Sequence, residues 1–167
     1  VDQQAGSREC RVVAWIRWLT APQSVALFNT GTAGNVMSNT PRVTRPLRVL
    51  VADDNPVNLR VATRVLRDMG HSGVLVTDGE KALKALDAQT FDVCLFDVTM
   101  PVLDGLSAVA ELRRREKAGK PKTPVIMVTA FDLPSDRMRV MAQGADGYVP
   151  KPLERDALQA ELDRLLR

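Results

Sequence analysis

Residues 48–61 run Arg48-Val49-Leu50-Val51-Ala52-Asp53-Asp54-Asn55-Pro56-Val57-Asn58-Leu59-Arg60-Val61. Val49 to Ala52 is a continuous apolar run without the in–out alternation of a half-solvated strand. It is the pattern of a strand covered on both faces, as in a parallel sheet flanked by helices. Asn55 before Pro56 is an N-cap and first-turn pair that starts a helix. Val57, Val61, Val65 and Met69 then recur at i, i+4 spacing. Strand, acidic loop and helix follow one another directly, which is one βα unit.

The unit repeats along the rest of the chain. Strands are predicted at Arg48–Ala52, Gly73–Thr77, Asp92–Phe96, Val125–Val128 and Gly147–Val149. Helical spacing recurs in Leu106, Val109 and Leu112, and again in Leu158, Leu162 and Leu165. Gly70 and Gly144 mark helix stops. Five alternations of this kind predict a parallel sheet with right-handed crossovers, a three-layer α/β sandwich.

Composition narrows the function. The 167 residues suffice for one domain with a real core. Nothing approaches the ~20 apolar residues of a membrane span, and no secretory leader opens the chain. Cys94 lies in an apolar run and is expected to be a buried small side chain, and Cys10 falls in the tail; both suit a reducing cytoplasm. Residues 1–45 hold five Arg against two acids, whereas residues 46–167 hold 18 basic and 18 acidic residues. The net charge of +3 therefore belongs to the tail and not to the globular part. The run from Arg113-Arg114-Arg115 to Lys122 carries no aromatic for base stacking, so it is expected to be a solvated helix end, and no nucleic-acid partner is expected. Residues 1–45 read as a linker or the remnant of an upstream region, and the start at Val1 suggests a piece of a longer protein. Arg11 to Leu19, with Trp15 and Trp18, would form a short strand or helix there.

Chemistry-bearing residues follow the apolar runs. Asp53-Asp54 follows the first, Asp97 the third, Thr129 closes the fourth, and Pro150-Lys151-Pro152 follows the fifth. Groups beyond the carboxyl ends of parallel strands converge. Three carboxylates, a hydroxyl and an ammonium there make a divalent-metal site with a nucleophile and a cation, which suits phosphoryl transfer. Each has a bland reading too. Asn55-Pro56 accounts for a helix start and one acid, but two adjacent carboxylates after a buried strand repel unless a cation compensates. Asp104 is read as the N-cap of its helix, without chemistry. Asp97 has no cap role and is a ligand or a nucleophile. Thr129 and Lys151 gain weight only from their company; a cis Lys151-Pro152 bond would aim the ammonium back over the sheet edge. His71, the only histidine, reads as an exposed residue at a helix end. No glycine-rich phosphate loop is present.

These residues resemble a known family. Asp53-Asp54, the stretch Asp97-Val98-Thr99-Met100-Pro101-Val102-Leu103-Asp104-Gly105, Thr129-Ala130 and Gly144 to Pro152 are similar to the receiver domain of two-component response regulators, over about residues 47–166. The resemblance implies a flavodoxin-like, doubly wound five-stranded sheet of order 2-1-3-4-5 with helices on both faces. It implies that Asp97 accepts a phosphoryl group from a phosphohistidine. Mg²⁺ would be held by Asp54, Asp97 and the backbone carbonyl of Thr99, with Asp53 acting mostly through water. Thr129 and Lys151 would grip phosphoryl oxygens, and Tyr148 would rotate with the state of Thr129. Movement is expected in the Thr129 loop, the helix after Asp132 and the Tyr148 strand, and Phe131 would shield the acyl phosphate.

Asp53 to Asn58 is similar to the start of receivers attached to hybrid sensor histidine kinases, which predicts the carboxyl-terminal receiver of such a protein; a single-domain regulator is the second architecture. The chain itself is expected to be a phosphoacceptor rather than a turnover enzyme, in a cytoplasmic setting even if its parent is membrane-anchored. Its partner would be a histidine kinase or histidine phosphotransfer domain, docking near Pro56, Leu59 and Pro152-Leu153. Residues Asp132 to Arg155 would form the output face, with the last two helices available for a homodimer. Two alternatives stand beside this: a haloacid-dehalogenase-like phosphatase with an Asp nucleophile, and a pseudo-receiver that only binds partners.

Overall fold

Every residue of β3 (Val93–Asp97) and β4 (Val125–Thr129) is buried, as their unbroken apolar runs predict. The computed structural model describes residues 45–130 and 134–166. Most of the linker expected over residues 1–45, and the readings placed on Phe131 and Asp132, lie outside them. The remaining elements are β1 (Arg48–Ala52), α1 (Pro56–Asp68), β2 (Ser72–Val76), α2 (Gly79–Ala88), α3 (Gly105–Lys117), α4 (Pro134–Ala142), β5 (Gly147–Pro150) and α5 (Arg155–Leu165). The strands lie in the order β2-β1-β3-β4-β5, and every neighbouring pair is parallel. Among the described residues no helix is long and apolar enough to cross a membrane.

Successive residues of each strand point to opposite faces, which splits the core in two. Leu50, Cys94, Phe96, Val125 and Met127 pack with Leu83 of α2, Val109 and Leu112 of α3 and Val140 of α4. Val49, Val51, Val93, Leu95, Ile126 and Val128 pack with Leu66 of α1 and with Leu158 and Leu162 of α5. Helices therefore cover both faces. Cys94 is fully buried, as its apolar neighbours imply.

Helix ends follow local chemistry. Asn55 accepts the amide of Val57 at 2.9 Å, and Asp104 accepts that of Ser107 at 2.8 Å. Asp78 accepts the amide of Lys81 at 2.8 Å. Gly70 and Gly144 have φ of +78° and +98°, the left-handed turn that ends a helix most cheaply with glycine. Four strands sit one residue off their predicted bounds: β2 and β3 are shifted by one, and β4 and β5 run one residue longer. Asp92 is spent outside the ladder, where its carboxylate accepts the Arg48 amide and the Arg45 guanidinium, both at 2.8 Å. Thr77 lies past β2, its hydroxyl accepting from Lys81 Nζ at 2.7 Å.

Three sequence readings change. The valine row of α1 is only partly its buried face: Val57 is 59 % and Val61 37 % exposed, Val65 and Met69 are half-buried against the core, and Ala62 and Leu66 are buried. A strict i, i+4 row drifts around a helix of 3.6 residues per turn, so the face rotates away from it. The basic run is not wholly solvated either. Arg113 is drawn inward: Nε donates to the Gly144 carbonyl at 2.8 Å, Nη1 to Glu116 at 2.7 Å and to the Thr123 carbonyl at 3.1 Å, and Nη2 pairs with Asp146. Asp146 also accepts the Val125 amide at 2.9 Å, so one guanidinium ties the ends of α3 and α4 to the start of β4.

His71 is half-buried rather than exposed. Its Nδ1 accepts the Leu47 amide at a long 3.4 Å, which places the neutral ring's proton on Nε2, a buried atom with no partner among the described residues. Burial lowers its pKa, and nearby Asp92 only partly opposes that. The unfolded chain therefore binds this proton more readily than the folded one. The sign follows: stability is level above about pH 6.5 and declines as the pH is lowered through it. The urea midpoint should fall between about pH 7.5 and about pH 5.5, and His71→Gln should make that fall smaller. An equal fall in both proteins would exclude His71 as its source.

Val102 adopts a conformation that its residue type disfavours. It has φ of +67°, the one non-glycine described residue with positive φ, and is 79 % exposed. Leu103 donates its amide to the Pro101 carbonyl at 2.8 Å, closing a three-residue turn around it. A β-branched side chain is strained there and gains no burial in return. Val102→Gly should stabilise the fold by about 0.5–1 kcal/mol, the relief of strain less the entropy of glycine. An unchanged or lower urea midpoint would count against the strain.

Candidate functional site

The register of the sheet sets the site. Ala52 pairs with Phe96, Asp97 with Val128, and Thr129 with Pro150. The residues that follow β1 and those that end β3, β4 and β5 therefore emerge in one row. The neighbours β2 and β3 leave β1 in opposite directions, and a cleft opens where the chain reverses in this way.

Asp53 is buried and densely bonded. Its Oδ1 accepts the Asn55 amide at 2.9 Å, Asn58 Nδ2 lies 3.1 Å from both of its oxygens, and Lys151 Nζ donates to Oδ2 at 2.7 Å. The same ammonium stands 2.9 Å from Oδ2 of Asp97. Lys151 is positioned by its own amide, which donates to the Thr129 carbonyl at 2.8 Å, and it precedes a cis bond to Pro152. Asp54 is exposed. Asp53, Asp54 and Asp97 each offer a carboxylate oxygen within 4.8 Å of the others. Thr129 is buried at the end of β4, and Tyr148 is half-buried on β5.

The electrostatics favour a cation. Burial lifts the pKa of Asp97 above the ordinary carboxylate range; Lys151 opposes this, Asp53 adds to it, and the Thr99 amide, bonded to the carboxylate, opposes it again. Lys151 is held above the ordinary range, because hydrogen bonds and charge from Asp53 and Asp97 outweigh its own burial. Three carboxylates facing one ammonium leave two formal negative charges, which a single dication cancels. All donors are hard oxygens, the set that suits Mg²⁺.

Gly105 is as much part of the site as the acids. A Cβ there would stand 1.9 Å from the carbonyl oxygen of Asp97 and 2.9 Å from Met127 Cε. Its amide donates to the Val98 carbonyl at 3.0 Å, which pins the start of α3 under the β3 loop. Asp104 is the helix cap expected of it, accepting the amide and hydroxyl of Ser107 at 2.8 and 3.0 Å. The structure thus gathers Asp53, Asp54, Asp97 and Lys151 directly, brings Thr99 against Asp97 through its amide, and sets Thr129 beside them. Sequence reasoning missed Asn58 as a partner of Asp53. Its signal is its place one turn into α1, above the acidic loop.

Comparison with known proteins agrees with this geometry. Residues 49–163 match the response regulator receiver domain. The transcriptional regulatory protein TcrA of Mycobacterium tuberculosis is 37 % identical over 121 residues, a match covering 72 % of this chain and 46 % of that protein. The sensor protein GacS of Pseudomonas syringae pv. syringae is 36 % identical over 124 residues, covering 73 % of this chain and 14 % of that protein. The chain thus spans less than half the length of either relative. Among solved structures, the receiver domain of sensor histidine kinase PA1611 from Pseudomonas aeruginosa PAO1 is 38 % identical with a TM-score of 0.64, covering 72 % of this chain and 97 % of that one. That structure is described with a magnesium ion coordinated in its active-site cleft.

Proposed function

Because the chain belongs to the response regulator receiver domain family of two-component signalling, we propose that it takes a phosphoryl group from a phosphohistidine onto Asp97 and changes conformation in response. One observation carries the assignment: Lys151 Nζ bridges Asp53 and Asp97 at 2.7 and 2.9 Å. An ammonium there is placed to follow a growing negative charge on phosphoryl oxygens. Asp97 attacks as its carboxylate, and the other groups position and neutralise.

Asp53, Asp54, Asp97 and the carbonyl of Thr99 would hold Mg²⁺. When bound, the ion offsets the charge of the phosphoryl oxygens and of the acidic cluster. Asn58 and the Asn55 amide keep Asp53 aimed inward. The Thr129 hydroxyl would grip the phosphoryl group, with Tyr148 following it. A hydrogen bond to a charged group contributes about 1.5–3 kcal/mol. Two such bonds made in one conformer only would shift a two-state balance by roughly a hundredfold or more.

The donor would be a histidine kinase or phosphotransfer domain docking along Pro56, Leu59 and the Pro152-Leu153 turn. The exposed Val57 and Val61 on the same edge of α1 support that face. Likeness to GacS and to the PA1611 receiver supports attachment to a sensor kinase, and a cytoplasmic setting follows from that role.

Incubation with acetyl phosphate and Mg²⁺ should add one phosphoryl group by intact mass, and chelation should prevent it. Amide shifts on labelling should concentrate around Thr129, α4 and Tyr148. Repeated turnover of p-nitrophenyl phosphate without a labelled chain would instead favour the Asp-nucleophile phosphatase. No label at all would favour a partner-binding pseudo-receiver.

A further inference from the structure

Two clefts flank the rim of the sheet, and they differ in size and charge. The cleft on the α1 side holds about 40 Å³ and is bordered by Asp53, Asp97 and Lys151. The cleft between α3 and α4 holds about 390 Å³ and is bordered by Val98, Thr99, Asp104, Thr129, Arg139 and Val140. Thr129 belongs both to the row of site residues and to the wide cleft, so the wide cleft opens beside the place a phosphoryl group would occupy.

The cations of the two clefts are in different states. Lys151 is already held by two carboxylates at 2.7 and 2.9 Å. In the wide cleft both oxygens of Asp104 are taken by Ser107, at 2.8 and 3.0 Å. Arg139 is exposed on α4 and makes no ion pair among the described residues. Among the described residues it is the cation of the wide cleft that carries no carboxylate partner.

This matters for the group that leaves phosphorus. An oxygen of Asp97 attacks along a line, and the departing group exits on the opposite side of phosphorus, away from the sheet. An imidazole leaving group arrives on a partner that holds it. A small acyl phosphate brings nothing to hold its departing carboxylate, whose charge grows as the bond breaks. Toward the narrow cleft that charge meets two carboxylates whose ammonium is already shared between them, and toward the wide one it meets the Arg139 guanidinium with one carboxylate, Asp104, bonded to Ser107.

We infer that the α3–α4 cleft is a leaving-group site in which Arg139 receives the departing carboxylate of small acyl phosphate donors and so sets donor preference. The inference rests on Asp97 being the acceptor. The step balances without an added reactant: the bond from Asp97 oxygen to phosphorus forms, the bond from phosphorus to the bridging oxygen breaks, and the electron pair leaves with that oxygen. No proton moves.

The test compares two donors on the full chain with Mg²⁺, reading label by intact mass over time. Acetyl phosphate releases an anion, and phosphoramidate releases ammonia. In Arg139→Gln the ratio of the acetyl phosphate rate to the phosphoramidate rate should fall roughly fivefold, the worth of one exposed charge pair, and Arg139→Lys should restore most of it. A ratio equal to that of the parent chain, whether both rates drop or neither does, overturns the inference and leaves the acceptor reading standing. A parent chain labelled by neither donor overturns both. Circular dichroism of the variants checks that they remain folded.

Discussion

Asp97→Asn should abolish phosphoryl labelling altogether while leaving the fold intact. The amide has the size of the carboxylate but neither its negative charge nor its nucleophilic oxygen, so no acyl phosphate can form. The fold has little to lose. Asp97 gives up its contact with Lys151, but the repulsion from Asp53 that lifts its pKa is relieved as well, and Lys151 keeps Asp53 at 2.7 Å. Loss of label with an unchanged urea midpoint is the expected pair of results. Label persisting in the Asn variant, or peptide mapping that places the parent's label on Asp54, would overturn the assignment.

Gly105→Ala should produce the largest loss of stability of any single methyl addition at the site. The new Cβ would overlap the carbonyl oxygen of Asp97 at 1.9 Å and press on the backbone carbon behind it at 2.9 Å. Neither atom sits on a flexible side chain, so α3 must back away and the Gly105–Val98 hydrogen bond at 3.0 Å must stretch or break. Overpacking of this kind costs about 3 kcal/mol, or roughly 10 °C in melting temperature for a domain of this size. Because the displaced carbonyl belongs to the acceptor residue, labelling should slow as well. A melting temperature within a degree or two of the parent, roughly the scatter of such measurements, would mean that the helix start yields more easily than the close approach implies.

The site was legible in the sequence because buried parallel strands leave little room for polar residues, so the first polar group after each run stands out. Asp53, Asp97 and Thr129 were found that way, and Lys151 followed from the turn around it. The order of the strands was not legible from periodicity, since apolar runs do not say which run lies beside which; it came with the family resemblance. What stayed hidden depends on contacts across long stretches of chain. Arg113 looked like one more charge on a helix end because its partner Asp146 lies 33 residues away. Asn58 looked like helix surface until α1 was laid over Asp53. The valine row of α1 is easy to see, whereas the packing of Ala62 and Leu66 depends on where the helix sits on the sheet.

Arg113 has a mechanical consequence. Its grip on Gly144 and Asp146 fastens the chain just past the carboxyl end of α4, while the opposite end follows the loop leaving Thr129. A rod moored at one tip and pushed near the other pivots instead of sliding. Under the proposed switch Met138, farther from the mooring than Met141, would sweep the wider arc; both side chains face solvent, 73 % and 39 % exposed. A protein resting on that helix would feel the upstream methionine shift under it while the downstream one stayed nearly still.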